Sequence, residues 1–367
     1  MERLVERLKA RAEEAGLDGF GVAGADPFEA AARTLTDRKA AGLSGRLGFT
    51  YRDPQISSNV RRSFPWANSL VVAAKSYVPE AGSPGPPDGS TGRVARFAND
   101  DHYVPLRAGL SAIAGVLLDA GFQAAVLSDD SRLIDRAAAV RAGVGWWGKS
   151  TMVISPKHGP WLLLGSVVTD AILPPTDPMR RDCGKCVACI PACPTGALIE
   201  PGVLDATRCI AYWAQTPGVV PRALRRPWGD RIYGCDDCLD ACPPGHAVLG
   251  ETKPDGRLDL NAVLTADDEA LLERAGHWFI PKRDPDYIRR NALIAVGNSR
   301  RAAHLPLLER YLHHRRATLR SHAAWALGEM GEAGRILLAE RRVVEHDPAV
   351  IEEIDAALAA VTGGERT

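Results

Sequence analysis

The sequence predicts a multidomain α+β chain in three parts, and three observations carry the prediction. Helix-like and strand-like stretches alternate up to about residue 175, the pattern of an α/β domain. All eight cysteines then fall between Cys183 and Cys242, in two ferredoxin-like runs. From Asp286 onward a segment recurs every 31 residues, which indicates stacked helix pairs of an all-α, HEAT-like kind. The boundaries are set at 1–175, 176–255 and 256–367, and a chain of 367 residues has room for these parts.

The front part opens with an amphipathic helix over residues 1–16, with Leu4, Val5, Leu8 and Ala12 on one face. Asp18–Gly24 reads as a turn and a short strand. Ser69–Val78 is continuously apolar and bounded by Pro65 and Pro79, as a buried strand would be. Residues 81–92, crowded with Gly, Pro and Ser, read as a flexible surface loop. A helix over Tyr103–Ala120, a strand over Gln123–Leu127 and a helix over Arg132–Ala142 follow. Strands near Thr151–Ser155 and Trp161–Val168 complete this part.

Two local matches in this region do not carry the chemistry they suggest. Gly143-Val-Gly-Trp-Trp-Gly148-Lys149-Ser150 satisfies both phosphate-loop patterns, but such a loop follows a strand and opens a helix. Here a helix precedes the glycines and a strand follows, so a glycine-rich turn passing close to something flat and bulky fits better. Asp100-Asp-His102 begins like the cobalamin-ligand pattern D-x-H-x-x-G, but Pro105 stands in the glycine's place. Asp129, Asp130 and Asp135 are candidate proton donors. Asp135, beside Arg136 on a helix, suits a surface ion pair. Asp130 stands between a strand and a helix, where a helix N-cap and a catalytic acid are both at home.

Cys183-x2-Cys186-x2-Cys189-x3-Cys193-Pro194 is the run that holds a [4Fe–4S] cluster in bacterial ferredoxins. A second half follows as Cys209 and Cys235-x2-Cys238-x3-Cys242-Pro243. In two-cluster proteins the last Cys of each run turns to the other cluster. One set is therefore Cys183, Cys186, Cys189 and Cys242, and the other is Cys209, Cys235, Cys238 and Cys193. Two zinc sites could also use eight thiolates, yet zinc asks for neither the third Cys nor the repeated x3-C-P ending. A disulfide framework suits short secreted chains, not this one. Iron–sulfur clusters imply one-electron redox chemistry and a reducing cytoplasm. No apolar run reaches the roughly 18 residues of a membrane span, and the N-terminus reads as an amphipathic helix with no signal peptide.

Formal net charge is zero, so any charge-driven partner must be met by a local surface. The repeat starts at 286, 317 and 348, and its last copy lacks basic residues, as a cap would. Between His277 and His322 ten basic residues face only Asp284, Asp286 and Glu309. Such a surface suits a phosphate backbone, although charge runs more often are solvated helix faces. His277-Trp278-Phe279, next to Lys282-Arg283, could add base stacking.

Taken together, several stretches resemble one family, the epoxyqueuosine reductases, cobalamin and iron–sulfur enzymes of tRNA queuosine synthesis. They are Asp130-Ser131, Asp135-Arg136-Ala137, Ala142–Lys149, Trp161–Asp170, Cys183–Ala197, Arg208-Cys209-Ile210, Tyr233–Cys238, Cys242-Pro243, Arg290-Asn-Ala-Leu and Ala324-Trp-Ala-Leu-Gly. The likeness runs over nearly the whole chain, and reductive dehalogenases share the cofactor pair. The resemblance implies that the front domain binds cobalamin base-off and that Asp130 donates a proton above the corrin. It implies that Gly143–Lys149 and the strands around Val153 and Leu164 line the cofactor, and that Arg52 and Ala95 approach it. Ala211 and Asp236 would lie between corrin and cluster. The implied reaction is reduction of epoxyqueuosine to queuosine in the tRNA anticodon loop. Electrons would come through both clusters from an external flavodoxin- or ferredoxin-type donor to a cytoplasmic monomer with no membrane contact. Lys282, Arg283, Arg289, Arg290 and Arg320 would contact tRNA.

Two positions depart from the family pattern. Ala95 stands where some members have a cysteine, and Asp101-His102-Tyr103 replaces Asp-Tyr-His. The rival readings are a dehalogenase-like reductase of a small molecule, and a non-catalytic electron-transfer or RNA-binding adaptor.

Overall fold

The computed structural model describes residues 1–78, 89–250 and 256–362. The chain forms two compact units that interleave in sequence. The first takes residues 1–80, 100–207 and 236–253, and the second takes 81–99, 208–235 and 254–367. The cysteine region is thus divided: Cys209 and Cys235 belong to the second unit and the other six cysteines to the first.

The first unit is built on a sheet of β1 (Gly19–Gly24), β2 (Ser69–Ser76), β3 (Ala124–Ser128) and β4 (Leu162–Thr169), in the order β1-β2-β4-β3. Every neighbouring pair is antiparallel. Alternating helices and strands usually build a parallel sheet. Here β2 and β3 do run the same way, with the helix α3 (Tyr103–Asp119) between them in sequence, but β4 is inserted between the two and reverses both pairings. A strand hydrogen-bonded on both sides and covered on both faces is apolar throughout, and β2 is buried from Ser69 to Ala74.

Helix α1 (Glu2–Glu14) buries Leu4, Leu8 and Ala12, as its periodicity predicts. Helix α2 (Glu29–Ala40) was not anticipated, because it buries only Ala32 and so shows no apolar stripe. Helix α3 turns Leu106, Leu110, Ile113 and Leu117 inward. Gly165 on β4 gives Leu110 its seat, since a Cβ there would stand 2.5 Å from Leu110 Cδ1. Helix α4 (Asp135–Arg141) starts three residues later than expected, at Asp135.

The second unit contains a small sheet with Thr91–Val94 at its centre, parallel to Arg231–Tyr233 and antiparallel to Gly256–Asp259. The expected loop over 81–92 therefore ends earlier, because Thr91 and Gly92 are strand; residues 81–88 lie outside the described residues. The helices α5 (Asp286–Ser299), α6 (Leu305–Leu312), α7 (Ala317–Glu329), α8 (Glu332–Val344) and α9 (Pro348–Thr362) follow. The three repeat starts coincide with α5, α7 and α9. Gly297 and Gly328 occupy one repeat position and explain its conservation of size within the chain. A Cβ on Gly297 would meet Ala326 Cα at 2.9 Å, and one on Gly328 would meet Ala357 Cβ at 2.9 Å. Each repeat helix can lie close on the next only because that side chain is missing. The capping helix α9 is tied in by Glu353, which accepts from Arg225 at 2.8 Å and from Arg222 at 2.9 Å.

Candidate functional site

Cys183, Cys186, Cys189 and Cys242 come together in the first unit. Burial raises the Cys189 and Cys242 thiols, and the charges of the other members of the set raise them further. The two halves of the cysteine sequence are therefore interleaved here, since Cys242 senses Cys183, Cys186 and Cys189. Cys183 and Cys242 pack with Trp146 and Ile154. Among the described residues no three Cys, His, Asp or Glu side chains are grouped tightly enough for a single ion. The Cys242 segment is anchored by Trp161, whose Nε1 donates to Gly245 O at 2.9 Å.

Cys193, the last cysteine of the first run, has different surroundings. Burial pushes its thiol up, but hydrogen bonding by Thr195, Leu198 and Ala197 outweighs that and leaves it lowered. The Ala197 amide donates to Sγ at 3.2 Å. Amide donors to sulfur favour the thiolate that a cluster requires. Cys238 lies in the same unit, within the short helix Asp237–Asp240, which Asp236 precedes without a capping side-chain bond. Cys209 precedes the helix Ile210–Ala214 of the second unit, which carries Ala211. Ala95 is buried in the second unit, its amide donating to Tyr233 O at 2.8 Å.

The acidic candidates lie at the end of β3 and the start of α4. Asp130 is not a helix N-cap: α4 begins five residues on, and Asp130 Oδ1 accepts from the Arg132 amide at 2.9 Å. The Arg132 guanidinium holds the carboxylate at 2.6 Å to Oδ2 and 2.9 Å to Oδ1. These hydrogen bonds outweigh desolvation and keep Asp130 below the usual carboxyl range. Asp135 is not in a surface ion pair. It is half-buried, its Oδ1 is buried without a partner, and burial followed by the charges of Asp129 and Asp130 pushes it well above the usual range. Arg136 is exposed, and its Nη1 donates to Thr151 O at 3.3 Å. Asp129 is raised mainly by burial, against the pull of Arg107, and it adopts a left-handed backbone with φ 52°. Tyr103 joins this group: burial and the nearby Asp129 and Asp135 hold its hydroxyl firmly protonated. Sequence alone marked neither Arg107 nor the meeting of Tyr103 with Asp129 and Asp135, because these residues lie on segments far apart in the chain.

The glycine-rich turn is a ribbon, not a phosphate loop. Trp146–Trp147 pairs antiparallel with Val153–Ile154, and no helix follows. A Cβ on Gly145 would sit 2.5 Å from Ile154 O, and one on Gly143 would sit 2.5 Å from Asp177 O, so the glycines accommodate the chain's own backbone. Trp147 is 45% exposed. Val153 is buried in the core, Leu164 packs against that core from β4, and Arg52 is exposed.

Residues 182–245 match the 4Fe-4S double cluster binding domain, and residues 279–359 match HEAT repeats. The chain is 32% identical to an epoxyqueuosine reductase of Bacillus cereus over 372 aligned residues, covering 97% of each protein. The chain belongs to the epoxyqueuosine reductase family. A crystal structure of an epoxyqueuosine reductase with an epoxyqueuosine-modified tRNA stem loop superposes with a TM-score of 0.90 at 30% identity, over 98% of this chain and 99% of that one. A Bacillus subtilis epoxyqueuosine reductase, in which an aspartate-bearing catalytic loop is swung out of the active site, gives 0.88 at 30% identity over the same shares. This member of the family is therefore an oxidoreductase whose double-cluster domain and helical repeats are both recognisable. No helix among the described residues is long and apolar enough to cross a membrane.

In this epoxyqueuosine reductase family member the basic tail differs from the sequence expectation. Arg290 is 2% exposed and donates to the carbonyls of Thr216 at 2.5 Å and Trp213 at 2.6 Å. Arg289 is buried and bonded to Asp268 and Asp286. Arg320 is bonded to both oxygens of Glu345. These three are internal ties and are withdrawn as phosphate contacts. Lys282 and Arg283 are exposed, both with left-handed backbone, although Arg283 also donates to Leu272 O at 2.8 Å. Trp278 is buried, stacked on Tyr233 with ring centroids 4.4 Å apart, and so cannot stack on a base; Phe279 is 66% exposed. Arg310, His314 and Arg315 line a hollow of about 380 Å³ together with Asp267 and the paired Asp268 and Arg289.

Proposed function

We propose that this chain reduces epoxyqueuosine to queuosine in the anticodon loop of tRNA, consuming two electrons and two protons and releasing water. The near full-length likeness to epoxyqueuosine reductases carries the reading. It acts as a cytoplasmic monomer, with its front domain binding cobalamin and its helical repeats binding tRNA. Cys183, Cys186, Cys189 and Cys242 hold one [4Fe–4S] cluster, and Cys193, Cys209, Cys235 and Cys238 hold the other.

When bound, the clusters supply single electrons and base-off cobalamin supplies a strongly reducing, nucleophilic metal. Ser128 Oγ, Asp135 Oδ1, Trp146 Nε1 and Ser150 Oγ are buried without protein partners, which suits a ligand rich in amide groups. Arg52, Ala95, Val153, Leu164, Ala211 and Asp236, with the glycine turn, line that ligand.

Asp130 protonates the leaving oxygen. As held by Arg132 it is a carboxylate at neutral pH, so it must release Arg132 before it can carry a proton. The segment from Asp129 to Ile134 lies outside helix and strand, so that release need not break the sheet. The loop seen swung out in the Bacillus subtilis relative supports such mobility. Exposed Lys282 and Arg283, joined by Arg310 and Arg315, meet the phosphate backbone, and Phe279 is available to stack on a base.

The test is turnover of epoxyqueuosine-bearing tRNA by the reconstituted protein, with nucleosides read by mass spectrometry. Queuosine should form, and Asp130→Asn should lower turnover by about 10²–10⁴-fold with iron and cobalamin content unchanged. Absence of queuosine from the wild type, with cobalamin-dependent reduction of a small organohalide instead, would replace this reading by the dehalogenase-like one.

A further inference from the structure

Electrons for this reaction must cross the protein surface somewhere, and the structure marks a place. Among the described cysteines Cys186 is exposed, while Cys189 and Cys242 of the same set are buried and Cys183 is half-buried. The segment leading to it lies on the surface: Arg180, Arg181, Lys185 and Val187 are all exposed, Val187 by 45%. Its shape is held from within. Lys149 Nζ donates to Gly184 O at 2.6 Å, and Asp182 Oδ1 accepts from the Gly184 amide at 2.6 Å. Arg181 lies over the Trp146 ring, 5.6 Å from its centroid.

The charge of this segment is one-sided. From 180 to 187 there are three cations and one anion, Asp182, in a chain of zero net charge. Asp182 is occupied by the Gly184 amide. Arg180 and Lys185 have no ion-pair or side-chain hydrogen-bond partner among the described residues. A solvated ammonium and guanidinium beside an exposed cysteine make no contact that supports the fold, but they attract an acidic surface over about a Debye length. Val187, next in sequence to exposed Cys186, adds a small exposed apolar contact to these cations.

We propose that residues 180–187 form the docking surface for a small acidic protein that carries a one-electron centre, with Cys186 as the point of electron entry. Each encounter oxidises the carrier by one electron and reduces the cluster held by Cys183, Cys186, Cys189 and Cys242 by one. Two encounters supply one epoxide reduction, and the two protons come by a separate route. The inference rests on the proposed function only in taking this cluster as the entry point, and its test needs no tRNA.

Reduced flavodoxin, an acidic one-electron carrier, is mixed in stopped flow with the reconstituted enzyme, and cluster bleaching and flavin reoxidation are followed. The wild-type second-order rate should fall as salt rises. Arg180→Glu combined with Lys185→Glu should lower that rate at least tenfold at low salt, with iron content and bleaching by dithionite unchanged. Lys9→Glu combined with Arg33→Glu changes net charge equally at exposed sites elsewhere and should leave the rate near wild type. A double variant reduced by flavodoxin at the wild-type rate overturns the proposal, as does an equal fall in the control. A parallel loss of dithionite bleaching would also overturn it, because these side chains would then be supporting the cluster itself. Absence of queuosine formation with this docking intact would instead count against the proposed function alone.

Discussion

Replacing Arg290 with alanine separates an internal tie from a nucleic-acid contact. The guanidinium donates to the carbonyls of Thr216 at 2.5 Å, Trp213 at 2.6 Å and Gly218 at 3.0 Å, and to Asn291 Oδ1 at 2.9 Å. Burial draws its pKa down to about 10, so it stays charged at neutral pH and its donors stay in place. A buried acceptor left without a donor costs about 1–3 kcal/mol, so three carbonyls set a range of roughly 3–9 kcal/mol. Water entering the vacated volume will satisfy some of them, which favours the lower part, about 4 kcal/mol. At about 2–4 °C per kcal/mol for a unit of this size, the midpoint should drop by about 8–16 °C. The loss should also reach the second cysteine set, because Trp213 and Ala214 end the helix that Cys209 begins. The assays are thermal unfolding of the apo chain, iron content after reconstitution, and tRNA binding across a salt series. A variant that melts like wild type, keeps its iron and loses only salt-dependent tRNA binding would refute the reasoning and restore Arg290 as a phosphate contact.

Other outcomes follow from the same geometry. Arg132→Ala frees Asp130, whose pKa rises; a proton donor works only while protonated, so the fall of kcat/KM with rising pH should move to higher pH, and an unmoved limb would show that the clamp is already open in the complex. Asp135 is raised in the fold from the ordinary 3.8, so the folded state binds the extra proton and stability declines as pH rises above that value toward the folded pKa. Asp135→Asn should therefore stabilise the apo chain at neutral pH and flatten that decline, as read from melting temperature against pH. Cys242→Ser should remove the cluster shared with Cys183, Cys186 and Cys189 and spare the other, while Cys193→Ser should do the reverse. Electron paramagnetic resonance of the reduced protein distinguishes them, and loss of the same signal in both variants would void the assignment.

What the sequence determined by itself is what short-range chemistry determines. A cluster's ligands must be two or three residues apart for one turn of chain to wrap it, so the cysteine spacing was legible without a fold. Repeat helices stack on one another in a line, so their period, and the glycines at 297 and 328, could be read from the chain alone. The family likeness was legible for the same reason, since it is carried by such local runs. Strand direction was not: β1 pairs antiparallel with β2, and β4 inserts antiparallel between β2 and β3, which run the same way. Nor was the fate of charged side chains. Asp135 and Arg136 are neighbours in sequence, but folding buries Oδ1 of the first without a partner and leaves the second exposed. Arg289, Arg290 and Arg320 read as a basic surface until carbonyls and carboxylates from distant segments claimed them. Burial and pairing depend on partners that sequence separation hides, and those partners meet only in the folded chain.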